Sequence, residues 1–79
     1  MKYVILRREI AKYAISKISC DHMFSKIEAL PDKEIIIDFL LVYYISNEFL
    51  DAYIANKALS TKHITEKNLP LNVKRIMRQ

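Results

Sequence analysis

Glu34-Ile35-Ile36-Ile37-Asp38-Phe39 is the stretch of sequence that decides the fold. Three consecutive isoleucines without polar alternation are typical of a strand covered on both faces, as in the centre of an α/β sheet. The turn residues Pro31-Asp32-Lys33 precede this stretch,. We therefore predict an interior strand over 34–39, with helices on both sides of the sheet.

The sequence before this strand predicts a first strand and a long helix. Tyr3 to Leu6 is a run of β-forming residues, and Arg8 to Tyr13 favours one or two helical turns,. Helical spacing then links Cys20, Met23, Phe24, Ile27 and Leu30,. Ser19 is the expected N-cap of this helix, and Pro31 is its expected stop.

A second helix is predicted shortly after the central strand. Tyr43-Tyr44-Ile45 is a brief apolar patch, and Ser46 and Asn47 are good N-cap candidates behind it,. The buried face of this helix is predicted to hold Phe49, Leu50, Tyr53 and Ile54,.

The last part of the chain completes an alternating order of strands and helices. His63 to Glu66 predicts a short polar strand near a sheet edge, and Pro70 suits the first position of a last helix,. The expected core residues here are Leu69, Val73, Ile76 and Met77. The alternation predicts one α/β domain over 1–79, with a small, partly parallel sheet and about three helices.

Composition excludes several classes of chemistry. The chain has 79 residues, one cysteine and no glycine, so a disulfide scaffold, a glycine-rich phosphate loop and a nucleophile elbow are excluded. Cys20 and His22 stand two positions apart on a predicted helix and point in different directions, which disfavours a shared metal ion. Asp38 is more simply a residue that closes a strand than a catalytic carboxylate. We expect no enzyme, no cofactor and no metal.

The charge is positive and unevenly distributed. A net charge of +4 places an acidic middle between two basic ends,. Basic ends can contact phosphates, so a small nucleic-acid-binding protein is the alternative function. Its expected contact residues are Arg7, Arg8, Lys74, Arg75 and Arg78.

No segment predicts targeting or membrane insertion. Arg7 interrupts the apolar N-terminus too early for a signal peptide,. The apolar stretch 35–45 contains Asp38, and its length is about half of the ~20 residues that a helix needs to span a bilayer,. We expect a soluble, cytoplasmic protein without membrane contact, and the free Cys20 fits a reducing compartment.

The corner Phe39-Leu40-Leu41-Val42 is unusually apolar for a connection after a strand,. Two leucines at such a corner predict that it is covered, either by this chain or by a second copy. Because a small domain has a thin core and gains stability by association, a homodimer is expected.

The segment 35–52 resembles the heart of STAS and STAS-like domains. In those families an apolar strand ends in Asp-Phe or Asp-Leu, and a turn, a valine, a short apolar stretch and a serine-rich helix start follow. The residues that match in register are Asp38-Phe39, Val42, Ile45-Ser46, Phe49 and Asp51. The segment 68–77 also resembles the strand-to-helix junction that closes the STAS-like branch.

The resemblance implies a regulatory adaptor that binds a partner protein and catalyses nothing. In the family the docking surface lies at the start of the helix after the central strand, where a serine is phosphorylated to break the complex. Glu48 stands at that serine's position and cannot be switched by a kinase. The docking residues implied here are Leu40, Leu41, Ser46, Asn47 and Glu48.

Overall fold

A three-stranded parallel sheet forms the centre of the domain. A computed structural model describes residues 1–10 and 13–77. The elements in chain order are β1 (Lys2–Ile5), α1 (Leu6–Glu9), β2 (Tyr13–Ala14), α2 (Lys17–Ala29), β3 (Glu34–Asp38), β4 (Tyr44–Ile45), α3 (Asn47–Leu59), β5 (His63–Lys67) and α4 (Leu71–Met77). The strand order is β1-β3-β5, and β2 pairs with β4 in a separate parallel ladder. The predicted α/β class and the central position of β3 are confirmed.

One face of the sheet holds the hydrophobic core. Ile35 and Ile37 of β3 are fully buried on this face and belong to the same cluster as the buried residues of α2 and α3. Tyr53 lies in this cluster, with its ring edge-to-face to Phe24 and Phe39 at centroid distances of 5.3 and 5.7 Å. The predicted stripes of α2 and α3 therefore supply most of the helical part of the core.

The other face of the sheet is open, so the prediction of helices on both sides is wrong. This face carries Tyr3, Ile36 and Thr65 in one row, because the three residues are register partners. Tyr3 and Thr65 are exposed and Ile36 is half-buried. Parallel sheets are usually covered on both faces. In this row two residues with polar groups flank the apolar Ile36, which makes this part of the face compatible with water.

The N-cap of the long helix α2 lies three residues before the predicted cap. Ser16 is the N-cap, and its Oγ accepts hydrogen bonds from the backbone N of Ile18 and Ser19, at 3.1 and 3.3 Å. Ser19 therefore lies inside the first turn, contrary to the prediction. The four residues Cys20, Met23, Phe24 and Ile27 are buried as expected, and Leu30 packs at the edge of the core.

The two later helices differ from the predictions at single positions. Ile54 of α3 and Ile76 of α4 are exposed rather than buried. Pro70 precedes α4, and its carbonyl accepts the first hydrogen bond of that helix, from Lys74 N at 2.9 Å. Within 1–10 and 13–77 the structure has four helices rather than about three. The helical turns predicted over Arg8 to Tyr13 lie earlier, as the single-turn α1 directly after β1, and Tyr13 belongs to β2.

The helices of the described residues are short. The longest, α2 and α3, have 13 residues each. Within 1–10 and 13–77, none is both long enough and apolar enough to cross a membrane.

Candidate functional site at the carboxyl edge of the sheet

Asp38 lies at the end of the central strand and is 7% exposed. Its Oδ1 accepts hydrogen bonds from the backbone N of Leu40 and from Nδ2 of Asn68, both at 2.9 Å. Its Oδ2 accepts a hydrogen bond from Oη of Tyr3. The predicted strand-closing role is confirmed by the Leu40 contact. Sequence reasoning missed Tyr3 and Asn68, which lie 35 and 30 residues away in the chain.

These donors keep Asp38 ionised. The amide of Asn68 and the hydroxyl of Tyr3 lower the pKa of the Asp38 carboxyl, and Leu40 N and Lys67 act in the same direction,. The same hydrogen bond raises the pKa of Tyr3. Nζ of Lys67 stands 5.8 Å from the centroid of the Tyr3 ring. Asp38 is thus a fixed negative charge whose acceptor positions are largely used by the protein itself.

Two residues at this edge have left-handed backbone conformations. Leu41 has φ 61° and Asn68 has φ 57°. Asparagine adopts this region readily, whereas leucine does so at an energetic cost. Residues held in such conformations occur preferentially at functional sites.

A cleft opens beside Asp38 at this edge. It has a volume of about 490 Å³ and is lined by Ile5, Arg7, Arg8, Asp38, Leu40 and Leu41. The cleft lies outside the carboxyl ends of β1 and β3, which end at Ile5 and Asp38.

The described residues leave the corner formed by Leu40 and Leu41 about half exposed. Leu40 is 53% exposed and Leu41 is 47% exposed. Of the two alternatives that the sequence leaves open, cover by the described part of the chain is therefore wrong. Cover by a second copy or by another protein stays a prediction.

The side chains of Ser46 and Glu48 connect the starts of α2 and α3 through hydrogen bonds. Oγ of Ser46 accepts a hydrogen bond from Phe49 N at 3.0 Å, which confirms it as the N-cap of α3, and donates to the carbonyl of Ile15 at 2.6 Å. Oε2 of Glu48 accepts a hydrogen bond from the backbone N of Lys17 at 2.7 Å. The side chains of both residues are thus engaged within the domain. Asn47 between them is exposed.

Further apolar side chains continue the exposed surface along the chain. Tyr43 and Tyr44 follow the two leucines, and Ile15 follows β2, which pairs with β4. We define the apolar corner as the exposed residues Leu40, Leu41, Tyr43, Tyr44 and Ile15. Sequence reasoning missed Ile15, because only the β2–β4 pairing brings it near Ser46.

The basic residues do not share one surface cavity. Arg7 and Arg8 line the carboxyl-edge cleft. Lys74 lines a different cavity, of about 330 Å³, among residues of α3, β5 and α4. Arg75 is exposed on α4, and Arg78 lies outside the described residues.

Cys20 and His22 have opposite environments. Cys20 is fully buried, whereas His22 is exposed on the same helix. Burial, and next the charge of Asp21, raises the pKa of the Cys20 thiol to about 12,. In the part of the chain that the structure describes, no three His, Cys, Asp or Glu side chains come together as a metal site.

Comparison with known proteins identifies no relative. The chain matches no family model, and neither a curated protein nor a solved structure is significantly similar to it.

Proposed function

We propose that this chain is a non-catalytic regulatory domain that binds another protein, as its resemblance to STAS-like domains implies. The apolar corner is the docking surface. The observation that carries the proposal is the exposure of Leu40 and Leu41 on a fixed turn, where turns normally carry glycine, asparagine or serine,.

The composition of the apolar corner suits protein binding. Leucine, isoleucine and tyrosine present large apolar areas, and tyrosine adds a hydroxyl that can reach a polar partner group. Single exposed apolar residues are ordinary on a protein surface, but several that adjoin each other mark interaction sites. Four residues of the apolar corner fall within positions 40–44 of the chain, and the β2–β4 ladder places Ile15 beside Ser46, just after Tyr44.

The start of α3 forms the rim of this docking surface. Ser46 and Glu48 fix the angle between the apolar corner and α2 through their hydrogen bonds to Ile15 O and Lys17 N. Asn47 is exposed and has an amide that can donate to the partner and accept from it,. The five docking residues that the resemblance implies thus have three roles. Leu40 and Leu41 are apolar anchors. Ser46 and Glu48 orient the surface, and Asn47 is a polar contact.

The experiment that tests the proposal is affinity purification of the tagged chain from its native cells, with quantitative mass spectrometry. We expect Leu40→Ser/Tyr44→Ser to reduce recovery of the specific partner at least about 10-fold, since hot-spot residues contribute ~2 kcal/mol or more each. The control is Leu59→Ser/Ile54→Ser, which removes two exposed apolar side chains from α3.

Equal recovery with both double variants would overturn the proposal. Light scattering of the purified chain identifies a second copy as the partner. In that case the dimer should dissociate in Leu40→Ser/Tyr44→Ser and persist in the control.

A further inference from the structure

We propose that the carboxyl-edge cleft binds an acidic segment of the partner protein that carries an aliphatic side chain. The proposal rests on the proposed function and specifies the chemistry of the partner. Its basis is the juxtaposition of two guanidinium groups and two exposed leucines around one cleft.

The cleft carries positive charge that no carboxylate of the described residues pairs with. Arg7 and Arg8 are both exposed, and among the described residues neither forms an ion pair with a carboxylate. Asp38 lines the same cleft but already accepts hydrogen bonds from Tyr3, Leu40 and Asn68. The cleft therefore has two guanidinium groups available for an incoming anion. Arginine binds carboxylates with well-defined, often bidentate geometry.

The cleft also has an apolar wall. Ile5 forms its half-buried part, and Leu40 and Leu41 form its exposed part. A small anion alone would leave these side chains in water. An aliphatic side chain that enters with the carboxylate would remove their apolar area from water, which is favourable. The volume of about 490 Å³ is within the range of side-chain and ligand pockets,.

The cleft suits an acidic, aliphatic peptide better than a nucleic acid. Phosphates would gain nothing from the exposed leucines, whereas an aliphatic side chain would bury them. The other basic residues do not extend the site, because Lys74 lines a different cavity. Strong binding to nucleic acid requires several phosphate contacts, whereas two arginines and an apolar wall match one acidic, aliphatic segment.

The test uses two labelled 12-residue peptides as probes, both with leucine at positions 5 and 9. One has glutamate at its other positions and the second has lysine there. Fluorescence anisotropy with the full chain should show that the glutamate peptide binds at least ~10-fold more tightly at ~20 mM salt, with a smaller preference at ~200 mM. Arg7→Glu/Arg8→Glu should abolish this preference. The control Lys74→Glu/Arg75→Glu changes the net charge equally and should keep it.

Three results would overturn the inference. They are equal binding of the two peptides, equal effects of the two charge-reversed variants, and tighter binding of a 12-nucleotide single strand than of the glutamate peptide. Failure of this inference can be told apart from failure of the proposed function. If Leu40→Ser/Tyr44→Ser abolishes recovery of the partner while Arg7→Glu/Arg8→Glu does not, the docking surface stands and the acidic segment is excluded.

Discussion

Leu41 and Asn68 share a left-handed backbone conformation, but only asparagine suits it,. A branch at Cβ worsens the clash in this region, so the isomer isoleucine should fit there much less well than leucine. We predict that Leu41→Ile lowers the free energy of unfolding by about 1 kcal/mol, although the side chain is half-exposed. Leu40→Ile, with the same change of shape one position earlier, should stay within about 0.5 kcal/mol of the wild type. Urea unfolding followed by circular dichroism measures both values, and equal effects would contradict the strain at Leu41.

Single residues also show where sequence reasoning about the site succeeds and where it fails. The roles of Ser46 as a cap and of Asp38 at a strand end depend on neighbours within a few positions, and both were predicted. The contacts of Asp38 with Tyr3 and Asn68 depend on the strand order β1-β3-β5. No local pattern contains that order, so these contacts could not be predicted from the sequence.

The start of helix α2 shows how accurately the N-cap of a helix can be predicted from the sequence. Ser16 and Ser19 are both serines near the start of the apolar stripe, but only Ser16 accepts backbone hydrogen bonds. We predict that Ser16→Ala lowers the free energy of unfolding by about 1 kcal/mol, because two backbone N–H groups lose their acceptor. Ser19→Ala should be neutral or slightly stabilising, since alanine is the better residue inside a helix. Chemical denaturation of the two variants side by side gives the comparison, and the reverse order would place the cap at Ser19 after all.

At the scale of elements, helical spacing of apolar residues predicts α2, α3 and α4. Runs of β-forming residues predict β1 and β3, and a short polar run predicts β5. The β2–β4 ladder has only two residues in each strand, which is too short for a period, and it was not predicted as a pair. The open face of the sheet was missed for a related reason. Three isoleucines indicate burial, but Ile36 is shielded only in part, beside its register partners Tyr3 and Thr65.

At the scale of the molecule, the core depends on a single sheet face with α2 and α3 packed on it. Asp38 with Tyr3, Asn68 and Lys67 closes one end of that sheet. The apolar corner and the carboxyl-edge cleft lie at this same end, next to the left-handed Leu41. The far ends of α2 and α3 are joined instead by Glu28, whose carboxylate accepts a hydrogen bond from Thr61 N at 3.0 Å. The apolar corner and the left-handed Leu41 thus lie at the end of the sheet where we propose that a partner binds.

The buried Cys20 links the stability of the whole domain to pH. Its pKa is raised to about 12 in the folded state, while an unfolded thiol has a pKa of about 8.5. Above about pH 8.5 the unfolded chain therefore releases a proton that the folded chain keeps, so stability falls as the pH rises. We predict that the wild type loses on the order of 1 kcal/mol more than Cys20→Ala between about pH 7.5 and 9.5. Urea unfolding at the two pH values measures this difference.

The alanine variant should be less stable at neutral pH because of the cavity it creates. Since all tyrosines and lysines are common to both proteins, parallel pH profiles would show that the thiol is not the group responsible.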